Sequence, residues 1–353
     1  MSAAVEFDAV SVVFGADPAR ALPAMDAGRS RAEVREETGQ TLGVHDCSLT
    51  VEEGEILVLM GLSGSGKSTL LRTVNGLAPV LRGDVRVNDG ARMVSLPRAG
   101  TAELRRLRLS RIGMVFQQFA LLPWRSVAEN VGLGLELAGI PAAERRGRVA
   151  EQLALVGLED WADRPVQALS GGMQQRVGLA RALVTQAPIL LMDEPFSALD
   201  PLIRGRLQDD LLNLQARLRR TIIFVSHDLD EAFRIGNRIA IMEGGRIRQC
   251  GTPQQIRTAP ADAHVAAFLR GLNPLAVLTA RDAMEPGLGG GTVEATMPLR
   301  ALLADLGEAG LTVTEAGRPI GRLTRDGALR ALAEPCPEVP GNHSAAGCPE
   351  VIG

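Results

Sequence analysis

The stretch Gly61-Leu-Ser-Gly-Ser-Gly-Lys-Ser-Thr69 fits the pattern G-x-x-x-x-G-K-[ST] without a mismatch. It follows an apolar run, Glu55–Met60, and opens a segment with helical apolar spacing at Leu70, Leu71 and Val74. A strand, a glycine-rich turn and a helix in that order point to an α/β architecture whose first loop surrounds phosphate. The glycines let successive backbone N–H groups curl around an anion, and the helix N-terminus adds its positive end. In that geometry Lys67 reaches the β- and γ-phosphates and Ser68 ligates Mg²⁺. Gly61, Leu62, Ser63, Gly64, Ser65, Gly66, Lys67, Ser68 and Thr69 are therefore expected to hold a nucleotide.

Composition sharpens that expectation at one position. The chain has 38 Lys and Arg residues, and Lys67 is its single lysine. A background rich in arginine reflects codon bias, but the one retained lysine marks a place that needs a compact ammonium rather than a planar guanidinium. The remaining composition excludes several classes. With 353 residues, 46% of them hydrophobic, the chain has material for two or three packed domains. A net charge of −3, 3% aromatic residues and no tyrosine argue against a nucleic-acid partner. Four cysteines without a CxxC pair fit a reducing cytosol. No leader pattern is legible at Met1–Val10, and the longest apolar runs, Ile56–Leu62 and Ala187–Met192, fall short of the ~20 residues that span a bilayer.

Strands are expected at Val5–Phe14, Glu55–Met60, Val85–Val87, Gly113–Phe116, Ile189–Met192 and Ile222–Val225, with a hairpin over Ile239–Gln249. Helical spacing runs through Pro141–Val156 (Val149, Leu153, Leu155) and Gly172–Val184. Residues 15–43 read as a polar, irregular insertion with one short helix near Arg31–Glu37. The texture changes near Leu272. A linker over Met284–Thr292 precedes a helix (Pro298–Leu306), two strands (Leu311–Glu315 and Pro319–Leu323) and a helix (Asp326–Leu332). The boundaries expected are 1–270 for the main domain and 271–334 for an extension. The tail 335–353, rich in Pro, Gly and small residues, is expected to be disordered. Its Cys336, His343 and Cys348 fit no standard zinc spacing.

Further motifs follow the first in a fixed order. Ile189-Leu-Leu-Met-Asp-Glu194 is an apolar strand ending in two carboxylates, which at the C-terminal edge of a parallel sheet face the phosphate loop. Asp193 suits Mg²⁺, directly or through water, and Glu194 suits deprotonation of an attacking water. Leu169-Ser-Gly-Gly-Met173 precedes a helix with Ser170 at a natural N-cap position. Gln117 follows the strand candidate Val115-Phe116, Ser197-Ala-Leu-Asp200 follows the carboxylates, and His227 ends another strand.

This constellation resembles the ATP-binding cassette ATPases, over about Val5 to Arg257. The resemblance implies a phosphate-loop NTPase core with a helical subdomain, and positions its residues one by one. Gln117 matches the glutamine that senses Mg²⁺ and water and touches a membrane partner. Ser170, Gly171 and Gly172 match the signature that binds the γ-phosphate held by the opposite subunit, while Asp200 matches the D-loop aspartate and His227 the switch histidine. Met173 departs from the usual glutamine. The aromatic that stacks on adenine has only Phe7 and Phe14 as candidates upstream, with the insertion between Phe14 and Gly61; Phe14 is the candidate.

Within that family, Thr41–Asp46 after the insertion, the loop Met60-Gly-Leu-Ser63 and the run Leu169–Arg181 resemble ATPases of importers for quaternary amines, namely glycine betaine, choline or proline betaine. Leu269–Leu278 is similar to the choline-uptake branch, and Val277–Leu332 resembles a single CBS motif in a small α+β extension, paired across a dimer or left as a remnant. The implied protein is a homodimer using ATP and Mg²⁺. It sits on the cytoplasmic side of the inner membrane, held by permease subunits and linked through them to a substrate-binding protein. An exporter subunit, or a soluble cassette ATPase outside transport, shares the catalytic motifs and remains the alternative.

Overall fold

The computed structural model describes residues 2–117, 120–197 and 199–333. The expectations for the tail 335–353, and the residues Gln118, Phe119 and Ala198, lie outside that set. The chain divides into two compact units, Met1–Cys250 and Gly251–Gly353, so the division by packing falls earlier than the textural change near Leu272.

Strands of the first unit, in chain order, are β1 (Ala3–Phe14), β2 (Thr41–Glu52), β3 (Ile56–Met60), β4 (Arg82–Asn88), β5 (Met93–Ser95), β6 (Ile112–Val115), β7 (Ile189–Asp193), β8 (Thr221–Ser226), β9 (Arg238–Glu243) and β10 (Arg246–Gly251). They form two sheets, of order β2-β1-β4-β5 and β10-β9-β3-β8-β7-β6. In the second sheet β3 pairs in parallel with β8 and β9, and β7 with β6 and β8. Its central strands β3, β7 and β8 are buried at every residue, as a sheet covered on both faces requires. Register then sets the functional edge. Met60 lies opposite Ser226, and Asp193 opposite Val225, so the residues that follow these strands, Gly61, Glu194 and His227, emerge together.

The insertion departs from the irregular loop expected of it. Phe14 pairs with Thr41 across β1 and β2, so the chain leaves and returns at one point. Between them stand short helices at Pro18–Ala21, Leu22–Asp26 and Arg31–Thr38. Ala21, Ala24, Met25 and Val34 bury themselves against Val13 and Leu42 in a small core of their own, which supplies the stabilisation a polar loop lacks. Strand β2 is not among the strands expected; in it Cys47, Leu49 and Val51 point inward while Asp46, Ser48 and Thr50 face out.

Helices Val127–Leu137, Ala142–Leu155 and Gly171–Val184 pack on one another and bury Val131, Leu135, Val149, Leu153, Val177 and Leu183. Leu155, expected on the buried face, is 40% exposed, because two residues beyond Leu153 the helix has turned about 200°.

In the second unit β11 (Met284–Glu285), β12 (Gly291–Glu294), β13 (Leu311–Glu315) and β14 (Arg318–Leu323) form a sheet of order β11-β14-β13-β12 around Leu278, Leu299, Val313, Leu323 and Ala328. The expected linker 284–292 thus carries two strand pieces, held by pairing with β14 and β13 rather than by local pattern. The expected helix Pro298–Leu306 is confined to Leu299–Leu302; a turn from Asp305 N–H to Leu302 O ends it, and Leu306 goes to the core. A helix over Arg325–Ala333 closes the described chain.

One buried group on β2 sets a pH dependence. His45 is 4% exposed, with Arg246 Nη2 2.6 Å from its Nδ1 and Arg82 Nη2 3.3 Å from its Nε2. Burial, then Arg246 and Arg82, lowers its pKa below the ordinary 6.5, against smaller opposing effects of Asp46 and Asp26. The unfolded chain therefore takes up a proton at His45 more readily than the folded chain, and this contribution is complete above about pH 6.5 and lost as pH falls below it. The thermal midpoint of His45→Gln should accordingly fall less than that of the wild type between about pH 7.5 and 5.5. Parallel declines would show that His45 carries no such effect.

Candidate functional site

The edge defined by Gly61, Glu194 and His227 opens into a pocket of about 300 Å³. Phe14, Ser63, Gly64, Gly66, Lys67, Ser68, Thr69, Gln117 and Glu194 line it, together with Arg31, Thr41, Leu42 and Gly43, to which the sequence assigned no role in the site. The β1–β2 pairing solves the problem posed by the insertion, since Phe14 stays beside the loop however long the excursion. Its ring is 42% exposed at the rim, whereas Phe7 is buried at 3%. Gly43 is the neighbour that permits this: a Cβ there would lie 3.0 Å from both the Phe14 ring and the Thr69 methyl.

The loop itself depends on Gly61. Its φ is +143°, and a side chain at this position would put its Cβ 2.2 Å from Met242 O, so no other residue is tolerated. Lys67 is 5% exposed and donates to Gly61 O at 2.8 Å and Leu62 O at 2.9 Å, with Ser65 Oγ at 3.5 Å. Desolvation lowers its pKa, opposed by Glu194 and Asp193. The loop thus presents a dehydrated cation beside its own carbonyls, ready to exchange them for phosphate oxygens.

Asp193 is fully buried; its Oδ1 accepts from Ser68 Oγ at 2.6 Å and its Oδ2 from Arg72 Nη2 at 2.9 Å. Sequence reasoning passed over Arg72, although it stands four residues after Ser68 and hence on the same helical face. The Ser68 hydroxyl and Asp193 carboxylate are a hard-oxygen pair. Among the described residues no group of three or more His, Cys, Asp and Glu could cage a metal. That set fits Mg²⁺, which keeps waters and substrate phosphate oxygens and needs one or two protein oxygens.

Glu194 adopts φ +50°, a left-handed conformation uncommon outside glycine and concentrated at functional sites. It is held there by its N–H bond to Val225 O at 3.2 Å and by Gln175 Nε2, which donates to Glu194 O at 3.3 Å. Its Oε2 accepts from Gln117 Nε2 at 3.2 Å and lies 3.4 Å from His227 Nδ1. One carboxylate, one amide and one imidazole therefore converge where a water next to a terminal phosphate would stand.

Ser170, Gly171, Gly172 and Asp200 do not join them. Ser170 caps the helix Gly171–Val184, its Oγ accepting from Met173 N–H at 3.4 Å, and Asp200 caps Pro201–Leu218 through Ile203 N–H at 3.0 Å. None of the four lines the pocket.

The sequence profile described as ABC transporter matches residues 44–197. The chain is 51% identical over 282 residues to the glycine betaine/proline betaine transport system ATP-binding protein ProV of Escherichia coli (strain K12), covering 80% of this chain and 70% of that protein. It is 44% identical over 325 residues to the trimethylamine N-oxide transport system ATP-binding protein TmoW of Ruegeria pomeroyi, covering 91% of this chain and 94% of that protein. Among solved structures, the dimeric post-hydrolysis state of the ATP-binding cassette MJ0796 bound to ADP and Pi matches with a TM-score of 0.61 at 30% identity, over 70% of this chain and 98% of that one.

Proposed function

We propose, on the premise that this chain belongs to the ATP-binding cassette family of transporter ATPases, that it powers uptake of a quaternary amine or a compound of similar shape and charge. The cargo class rests on the names of its relatives, which transport betaines and trimethylamine N-oxide. Among the described residues no helix is long and apolar enough to cross a membrane, so in this reading the cargo path lies in separate permease chains and the ATPase docks on their cytoplasmic face. A binding protein would then select between choline and the betaines.

The observation that carries the mechanism is that Ser170 is spent capping its own helix and that Ser170–Gly172 do not line the pocket of Lys67 and Glu194. In this reading two copies meet so that each signature closes the other's pocket, and hydrolysis waits on closure because neither half provides the whole charge clamp. Phe14 would stack on the base, and residues 61–69 would hold the phosphates. Ser68 and Asp193, with Gln117 through water, would hold Mg²⁺, whose chemistry is to neutralise charge developing on the β- and γ-phosphates. Glu194 takes the proton of the attacking water while Gln117 and His227 fix its carboxylate. Asp200 would act at the dimer contact. Val277–Leu332 is read as a single CBS-like extension.

Coupling has its own candidate surface. Trp124 is 77% exposed on a groove of about 760 Å³ lined also by Arg125, Glu129, Glu136, Val149 and Leu153. An exposed tryptophan beside an arginine is typical of a contact anchor. Trp124→Ala should therefore reduce uptake by the assembled transporter far more than hydrolysis by the isolated chain, with circular dichroism unchanged. Equal loss in the two assays would make Trp124 structural and move the docking surface elsewhere.

A further inference from the structure

Arg31 begins the helix Arg31–Thr38 of the insertion and reaches the phosphate loop. A reciprocal cap fixes the start of that helix: Ser30 Oγ accepts from Glu33 N–H at 3.3 Å, and Glu33 accepts from Ser30 N–H at 2.7 Å. The guanidinium donates through Nη1 to Gly64 O and through Nη2 to Gly43 O. Both carbonyls border the phosphate loop, since a Cβ on Gly66 would come 2.7 Å from Gly43 O. Gly43 lies under the Phe14 ring, and Gly64 belongs to the loop that ends in Lys67.

The charge of Arg31 is poorly compensated where it sits. Its Nε is buried without a hydrogen-bond partner. Burial also lowers its pKa, and no carboxylate is among the charges acting on it. Arg31 is half-buried with only carbonyls as partners, so a cation partly stripped of water gains when an anion arrives. A nucleotide with its base on Phe14 and its terminal phosphates at Lys67 carries its α-phosphate between those two residues, along a pocket wall to which Arg31 contributes. We infer that Arg31 is a nucleotide-contacting residue which pairs with the α-phosphate, so that the insertion contributes directly to affinity. This rests on the nucleotide reading of the pocket.

The competing role is a clamp, in which Arg31 only ties the insertion to Gly43 and Gly64. Fluorescent mant-ATP and mant-ADP titrations of the full chain, with steady-state hydrolysis and thermal melting, separate the two. Because the α-phosphate is common to both nucleotides, Arg31→Gln should weaken ATP and ADP by the same factor, about tenfold to a hundredfold. It should raise KM with little change in kcat. Arg31→Lys, which keeps the charge, should recover most of that loss, and it serves alone if the glutamine variant does not fold. Unchanged affinity in Arg31→Gln, a loss confined to ATP, or an Arg31→Lys variant that folds but binds poorly would overturn the inference. A wild-type chain that binds neither probe would overturn the nucleotide reading itself.

Discussion

Lys67→Arg is expected to lower ATP turnover by at least about 10²-fold although the net charge stays the same. The ammonium sits in a space defined by Gly61 O at 2.8 Å and Leu62 O at 2.9 Å, and is 5% exposed. A guanidinium is wider, flat and fixed in its donor directions, so it cannot enter that turn without displacing the loop. The displacement is expensive in this fold, because Gly61 already packs against Met242 O and has no room to yield. Nucleotide titration should show weakened binding, and the strained loop should also lower the melting midpoint, with circular dichroism confirming that the variant is folded. Near-wild-type hydrolysis would show that the one lysine of the chain is not the phosphate ligand.

Glu194→Gln is expected to separate binding from chemistry. The amide cannot accept the proton of the attacking water, and loss of a positioned base costs about 10²–10⁴-fold in turnover. Its size is unchanged, its left-handed backbone is held by Val225 O and Gln175 rather than by the carboxylate, and Asp193 with Ser68 is untouched. ATP affinity should therefore stay within a few-fold of the wild type. Turnover that persists in this variant would assign the base elsewhere, with His227, 3.4 Å away, the first residue to test.

These two residues were legible from sequence because their chemistry is local. A strand followed by glycines and Lys67, and a strand ending in Asp193-Glu194, each state their own geometry. The residues that sequence reasoning passed over are the ones whose roles arise from distant contacts. Arg31 is 33 residues from Gly64, and only the small core of Met25, Val34 and Leu42 brings its helix there. Gln175 supports Glu194 from another helix altogether. Strand β2 carries an alternation at Cys47, Leu49 and Val51 that went unread, because the insertion and Gly43 conceal where it starts. In the second unit, Gly291–Glu294 has no strand pattern to read; β13 imposes it by parallel pairing, and Gly289 allows the close approach to Gly310. Phe14 marks the opposite case. Distance along the chain argued against it, and the pairing of Phe14 with Thr41 removes that distance.

The central claim is that one chain holds half a catalytic site, because Ser170, Gly171 and Gly172 lie off the pocket of Lys67 and Glu194. Light scattering on purified Glu194→Gln tests it most directly, since that variant should hold ATP without consuming it. With Mg²⁺ and ATP the particle mass should double relative to the same sample in AMP, and adding a substitution of Gly171 by Asp should abolish the doubling while ATP still binds. A variant saturated with ATP that keeps the mass of a single chain would contradict the account.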